Sequence, residues 1–277
     1  MSRAVFGHGV FVYEPDHAIA AFGSPAAVAE AVAAMDMSHA WLRVHGRDGP
    51  WRTGANLVLA TALRDRGIAV GVWGWVDGND VDRDIAHARF AIDRYAPDAY
   101  IADIETGESG AHWTPERALR FAAAVRATLG MRPLVVSSYG RILSVAPEVM
   151  AAVDGVVDAF APQVYWFRGP DAAMLTAPGL PSGLVVDDPV SYAALCLHQW
   201  RQVVTRPLVL TGQAYWGEAE GWTEELAERK LAAFLTGFDR YDEIVGLNWW
   251  NLAHARAMSP RMREMIAAAR LGRRFRA

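Results

Sequence analysis

Asp103 and Glu105 stand two residues apart at the end of the apolar run Ala99-Tyr100-Ile101-Ala102-Asp103-Ile104-Glu105. In an extended strand, residues i and i+2 share a face, with Cα atoms roughly 6–7 Å apart. Two carboxylates held that close on partly buried ground repel each other. Their proton affinities are driven apart, leaving one protonated and one ionised. Such a pair can supply a general acid beside an electrostatic stabiliser. It works only if the strand delivers it to a cleft, so the elements around it matter next.

The chain alternates short β-rich apolar runs with longer helical ones. The periodicity predicts strands over 5–13, 39–46, 67–76, 98–105, 132–139, 158–166, 207–216 and 243–251. It predicts helices over 25–35, 54–66, 81–96, 115–129, 146–153, 190–203, 223–238 and 259–270. Ser24-Pro25, Thr114-Pro115 and Ser259-Pro260 read as an N-cap followed by proline at the first helical position. Thr223 precedes Glu224 and Glu225, acids that suit the positive end of a helix dipole. Eight βα units with near-continuous apolar strands indicate parallel strands covered by helices, and eight closes a (β/α)8 TIM barrel spanning 1–277 as one α/β domain. The runner-up is a doubly wound open sheet, but no glycine-rich phosphate fingerprint follows the first strand. The segment 167–188, between the sixth strand and its helix, is rich in proline and glycine and aperiodic. It is expected to overhang the top face as a lid or subsite wall.

In such barrels the C-terminal strand ends form the site. The second strand brings Arg43 and His45 to one face, and the third adds Trp73, Trp75 and Asp77. The fifth gives Ser137 and Tyr139, the sixth Gln163 and Tyr165, and the seventh Gln213, Tyr215 and Trp216. The eighth ends Asn248-Trp249-Trp250-Asn251. A barrel interior can satisfy any one of these pairs internally; the same pattern on several strands at one end points to a pocket. Of the eleven tryptophans, Trp73, Trp75, Trp166, Trp216, Trp249 and Trp250 fall near strand ends. Core packing is expected to claim half of these. The remainder offer flat apolar faces with a polar edge, suited to the C–H face of a sugar ring.

The Asp103-Ile104-Glu105 triplet resembles the DxE motif of barrel glycosidases in glycoside hydrolase families 25 (muramidases) and 18 (chitinases and endo-N-acetylglucosaminidases). The resemblance implies that Glu105 is the general acid and that Asp103 steadies a substrate N-acetyl group or the charged intermediate. Gln163-Val164-Tyr165 is similar to the Gln/Met-x-Tyr of the sixth strand of family 18, which gives Tyr165 a role at the same group. Trp249 or Trp250 resembles the floor of the sugar subsite. Ile101 stands where the longer family 18 pattern has Asp, and Glu14 follows the first strand where family 25 has Asp. The resemblance therefore implies a divergent glycosidase acting on an N-acetylated polysaccharide such as peptidoglycan or chitin. Substrate assistance would remove the need for a protein nucleophile; otherwise Glu14 and Glu218 are the candidates.

The bulk properties narrow the alternatives. With 277 residues, 52% of them hydrophobic, the chain can bury an ample core. A net charge of −4 argues against nucleic acid as the partner. The one cysteine, Cys196, excludes an intrachain disulfide and reads as a packed core thiol. No charged stretch leads into a long apolar run at the N-terminus, so no signal peptide and cytoplasmic synthesis are expected, with any export by phage-like lysis or injection. No membrane span and no cofactor are expected. A non-catalytic carbohydrate-binding barrel, for example in a phage particle or injection machine, would use the same aromatic and amide groups. A metal-dependent isomerase or hydrolase would need convergence of His8, His45, Asp103, Glu105 and His254, whose spacing matches no common ligand motif.

Overall fold

In the computed structural model, residues 6–106, 111–216, 221–253, 257–273 and 275 are described. Nine strands form one sheet: β1 (His8–Val12), β2 (His39–Gly46), β3 (Gly49–Pro50), β4 (Ala69–Val76), β5 (Ala99–Ile104), β6 (Leu134–Tyr139), β7 (Ala159–Val164), β8 (Leu208–Gln213) and β9 (Ile244–Trp250). All but β3 pair in parallel, and β1 bonds both β2 and β9, which closes the sheet. The result is a closed (β/α)8 TIM barrel. Its helices are α1 (Pro15–Phe22), α2 (Pro25–Ala34), α3 (Thr53–Asp65), α4 (Val81–Tyr95), α5 (Pro115–Leu129), α6 (Pro147–Val153), α7 (Pro189–Arg201), α8 (Glu224–Gly237) and α9 (Pro260–Ala269).

The caps read from sequence are present. The side chains of Ser24, Thr114, Thr223 and Ser259 each accept a backbone N–H from the first turn, meeting donors that a helix leaves unpaired. Two elements were not foreseen. The helix α1 begins at Pro15 and stops at Gly23, whose φ of 88° suits glycine. The β3 segment folds back antiparallel on β2, pairing His45 with Pro50 and Gly46 with Gly49.

Period-two alternation sorts each strand into two cores. Tyr100, Ala102 and Ile104 of β5 face the helices, whereas Ala99 and Ile101 join Phe11, Trp41, Trp73, Val135, Ala159, Ala161 and Val209 inside the barrel. Asp103 continues that inner row towards the C-terminal rim. Below the rim, Asn248 accepts hydrogen bonds from His39 Nε2 (2.7 Å) and Trp41 Nε1 (3.0 Å). A Cβ at Gly9 would lie 2.1 Å from His39 and 2.5 Å from the Asn248 oxygen, so this close passage needs glycine. Among the described residues no single helix is long and apolar enough to cross a membrane.

Candidate active site

A cleft of about 680 Å³ opens at the C-terminal rim, lined by Asp103, Glu105, Gln163, Tyr165, Arg43, Trp73, Trp75 and Trp250 among others. Seven of these eight are residues proposed from sequence for catalysis or binding, and Trp73 was read at the same rim. A second cleft of about 560 Å³ adjoins it, walled by Arg47, Asp48, Gly49, Pro50 and Trp51. Arg43, Trp75 and Glu105 line both. Glu105 therefore stands where the two meet, one residue beyond the end of β5.

The two carboxylates share one donor. Gln163 Nε2 lies 3.0 Å from Asp103 Oδ1 and 2.8 Å from Glu105 Oε1, with Ser137 Oγ at 3.3 Å. Asp103 is buried, at 7% exposure, while Glu105 is half-buried. Burial first, then repulsion from Glu105, pushes the Asp103 carboxyl well above the usual carboxylate range. Hydrogen bonds from Ser137 and Gln163 and the Arg43 charge oppose this without overcoming it. The Asp103 carboxyl thus holds a proton more tightly than a free carboxyl does.

Aromatic rings make the floor. Trp250 packs on Trp73 (centroids 5.3 Å), Phe11 (5.5 Å) and Tyr13 (5.5 Å). Tyr165 lies 6.5 Å from Trp250 and is backed edge-on by Tyr215 at 5.5 Å.

Several expected site residues lie elsewhere, each for a local reason. Trp249 is wholly buried on the helix side of β9, its Nε1 donating to His8 Nε2 at 2.7 Å. Alternation forces this, because Trp250 takes the inward position. Trp166 likewise stacks on Phe234 at 4.7 Å, and Trp216 packs against the outer core. Three of the six rim tryptophans, Trp73, Trp75 and Trp250, reach the cleft, and the other three are core. His45 should share Arg43's face, but the β2–β4 register shifts between Arg43 and His45. The bulge turns His45 out to Tyr100, with 2.7 Å from Nε2 to the hydroxyl, over Gly74.

Asn248 belongs to the inner packing below the cleft. Gln213 accepts from Phe167 N–H at 2.9 Å and donates to the Tyr215 carbonyl at 3.1 Å, so it and Tyr215 brace the Tyr165–Phe167 turn from behind. Glu14 does not line either cleft; it pairs with His17 at 2.5 Å at the start of α1. Asp77 is held by Arg47 and Arg83. Glu218 and His254 lie outside the described residues. His8 is buried against Trp249, and among the described residues no group of three or more His, Cys, Asp or Glu is placed to hold a metal ion.

The 167–188 segment does not overhang the cleft as expected. Among the described side chains, Phe167 alone of this segment lines it. The rest is tied outward, through His198 Nε2 to the Pro178 carbonyl (3.0 Å), Val185 N–H to Ser191 Oγ (2.8 Å) and Lys230 to Asp187 (2.7 Å). Sequence reasoning also missed Tyr13, Arg141, Tyr192 and Trp51 as wall residues. Trp51 had a usable signal, since Asp48-Gly49 is a hairpin-turn dipeptide that returns the chain to β2.

The molecule is thus a (β/α)8 barrel with a carboxylate pair at its C-terminal rim. No protein-family model matches the sequence, and no curated protein matches it. Among solved structures it is similar to a GH113 β-1,4-mannanase, at 8% identity over 96% of this chain and 98% of that one, TM-score 0.62. It is similar to a GH5_18 protein from Bifidobacterium longum subsp. infantis, at 12% identity over 96% and 79%, TM-score 0.66. Fungal β-1,4-galactanases align at 10% identity over 96% and 99%, TM-score 0.62. At these identities the likeness is one of fold.

Proposed function

We propose that the protein is a glycoside hydrolase acting on a polysaccharide, with Glu105 as the general acid. One observation carries this reading: Asp103 and Glu105 share the Gln163 amide at the junction of two aromatic-walled clefts. A glycan chain laid across that junction would place one glycosidic oxygen at Glu105, with sugar rings on either side. The solved structures of similar fold carry mannanase and galactanase names, which supports the same class. Trp250 and Trp75 would take the sugar faces, and Tyr165 and Gln163 would bond the rim of the ring next to the cleaved bond.

The finer reading is an N-acetylated glycan cleaved with help from its own acetamide. Among the described residues, Asp103 and Glu105 are the only acids lining the larger cleft. A two-carboxylate mechanism needs a second acid facing the first across the bond, roughly 5–10 Å away. Asp103 lies on the same strand face, buried and bonded to Gln163, so it is suited to hold the acetamide rather than to attack. Tyr165 would then steady the acetamide oxygen.

The test is hydrolysis of peptidoglycan, chitin and neutral β-glycans by wild type and Glu105→Gln. Glutamine keeps size and hydrogen bonding but has no transferable proton, so kcat should fall by about 10²–10⁴-fold with little change in binding. A wild type that binds these glycans and cleaves none would instead identify a carbohydrate-binding barrel.

A further inference from the structure

We infer that the site selects a glycan bearing a carboxylate on a sugar next to the cleaved bond, and that Arg43 reads it. The inference rests on the glycosidase reading for the ligand being a sugar; the carboxylate is argued from the protein alone.

Arg43 rises from β2 into a box of ring faces. Its guanidinium carbon lies 4.3 Å from the Trp51 ring centroid, 4.6 Å from Tyr13 and 5.6 Å from Trp73. The rings attract the charge and fix the plane of the group, but they accept no N–H in that plane. Arg43 Nε is buried with no hydrogen-bond partner, and the residue has no ion-paired or hydrogen-bonded acid among the described residues. Its neighbours differ. Arg47 meets Asp77 at 2.7 Å, and Arg83 meets the same carboxylate at 2.9 Å. Asp103 feels the Arg43 charge, but among the described residues no ion pair joins the two.

Leaving the buried Nε–H of that guanidinium without an acceptor is costly. An anion delivered by the ligand would remove that cost. The planar N–H fork matches a carboxylate two bonds at a time. A more highly charged anion such as a phosphate monoester fits less well, because Glu105 lines the same two clefts. Position completes the argument: Arg43 and Glu105 both line the junction, so a carboxylate on Arg43 belongs to a ring adjoining the bond that Glu105 protonates.

The experiment uses matched probes and calorimetric binding to the whole protein. One pair is peptide-free peptidoglycan strands, with their lactyl carboxylates, and the same strands after carbodiimide–borohydride reduction to alcohols. The other is oligogalacturonides and their carboxyl-reduced forms. In at least one pair, wild type should bind the acid about tenfold to a hundredfold more tightly than the alcohol, the scale of a hydrogen-bonded charge pair. Arg43→Gln should bring that ratio to about one, and Arg43→Lys, with charge but no fork, should leave it between. Because the ratio is first read on unmutated protein, a variant that fails to fold does not obscure it. Equal binding of acid and alcohol in both pairs overturns the inference and leaves the glycosidase reading standing. Discrimination with no cleavage of any probe does the reverse. No binding of any of the four probes overturns the inference as well.

Discussion

The amide of Gln163 bonds both Asp103 and Glu105, so the two carboxyl groups titrate under a common donor and under each other's field. Their protons leave in two steps that belong to the pair. The form able to donate holds one proton, and it is lost when the second proton leaves, against the charge already present. Asp103→Asn removes that charge. The remaining carboxyl then ionises more easily, and the alkaline limb of the kcat/KM profile should move to lower pH. Turnover should also fall, since asparagine cannot share the pair's proton. An alkaline limb that stays in place in Asp103→Asn would mean that the two groups do not interact.

At the scale of elements, strand alternation decided which residues could be foreseen. Counting by two from the apolar inner row of β5 reaches Asp103, and the same count reaches Arg43 on β2 and Gln163 on β7. It fails where the backbone departs from period two. The bulge between Arg43 and His45 adds a residue, and nothing in Trp41-Leu42-Arg43-Val44-His45 announces it. It also fails where two large aromatics are adjacent, because composition does not say which faces in. The Trp249–Trp250 pair gives a direct test. Trp249→Ala should cost about 3–5 kcal/mol of folding stability, as expected for emptying a buried aromatic site, measured by denaturant unfolding. Trp250→Ala should act mainly on glycan affinity, raising KM several-fold, because Trp250 is only partly buried and lines the cleft. The opposite assignment of the two effects would reverse the orientation of β9. The missed wall residues Tyr13 and Trp51 sit just past strand ends, beyond the reach of a periodicity argument.

At the scale of the whole molecule, the fold buries titratable groups that the proposed chemistry does not use, and they set its stability against pH. Burial lowers His8 to about 3, His39 to about 4 and His45 to about 3, from an ordinary value of 6.5. Between those values and 6.5 the unfolded chain binds one more proton per histidine than the folded one. Each histidine therefore contributes stability that is complete above pH 6.5 and is lost as the pH falls, by about 1.4 kcal/mol per unit. Asp84, pushed by burial up to about 6, and Asp103, raised for the same first cause, work in the other direction. The folded state holds their protons first, so acidification favours it. From about pH 6 to about pH 4 the three buried histidines oppose Asp84 and Asp103, and stability falls as the pH falls. Below that range Asp77 and Asp154, whose carboxyls are held low by hydrogen bonds and arginines, add to the loss. Asp84→Asn still accepts the Gly78 N–H, which Asp84 Oδ2 receives at 2.9 Å, but removes one opposing proton. Its stability should fall more steeply across the same range. Calorimetric unfolding of both proteins at half-unit steps from pH 4 to 7 measures the two slopes. Equal slopes would show that Asp84 takes up no proton on folding, and stability rising on acidification would show that the buried histidines are not neutral in the folded state.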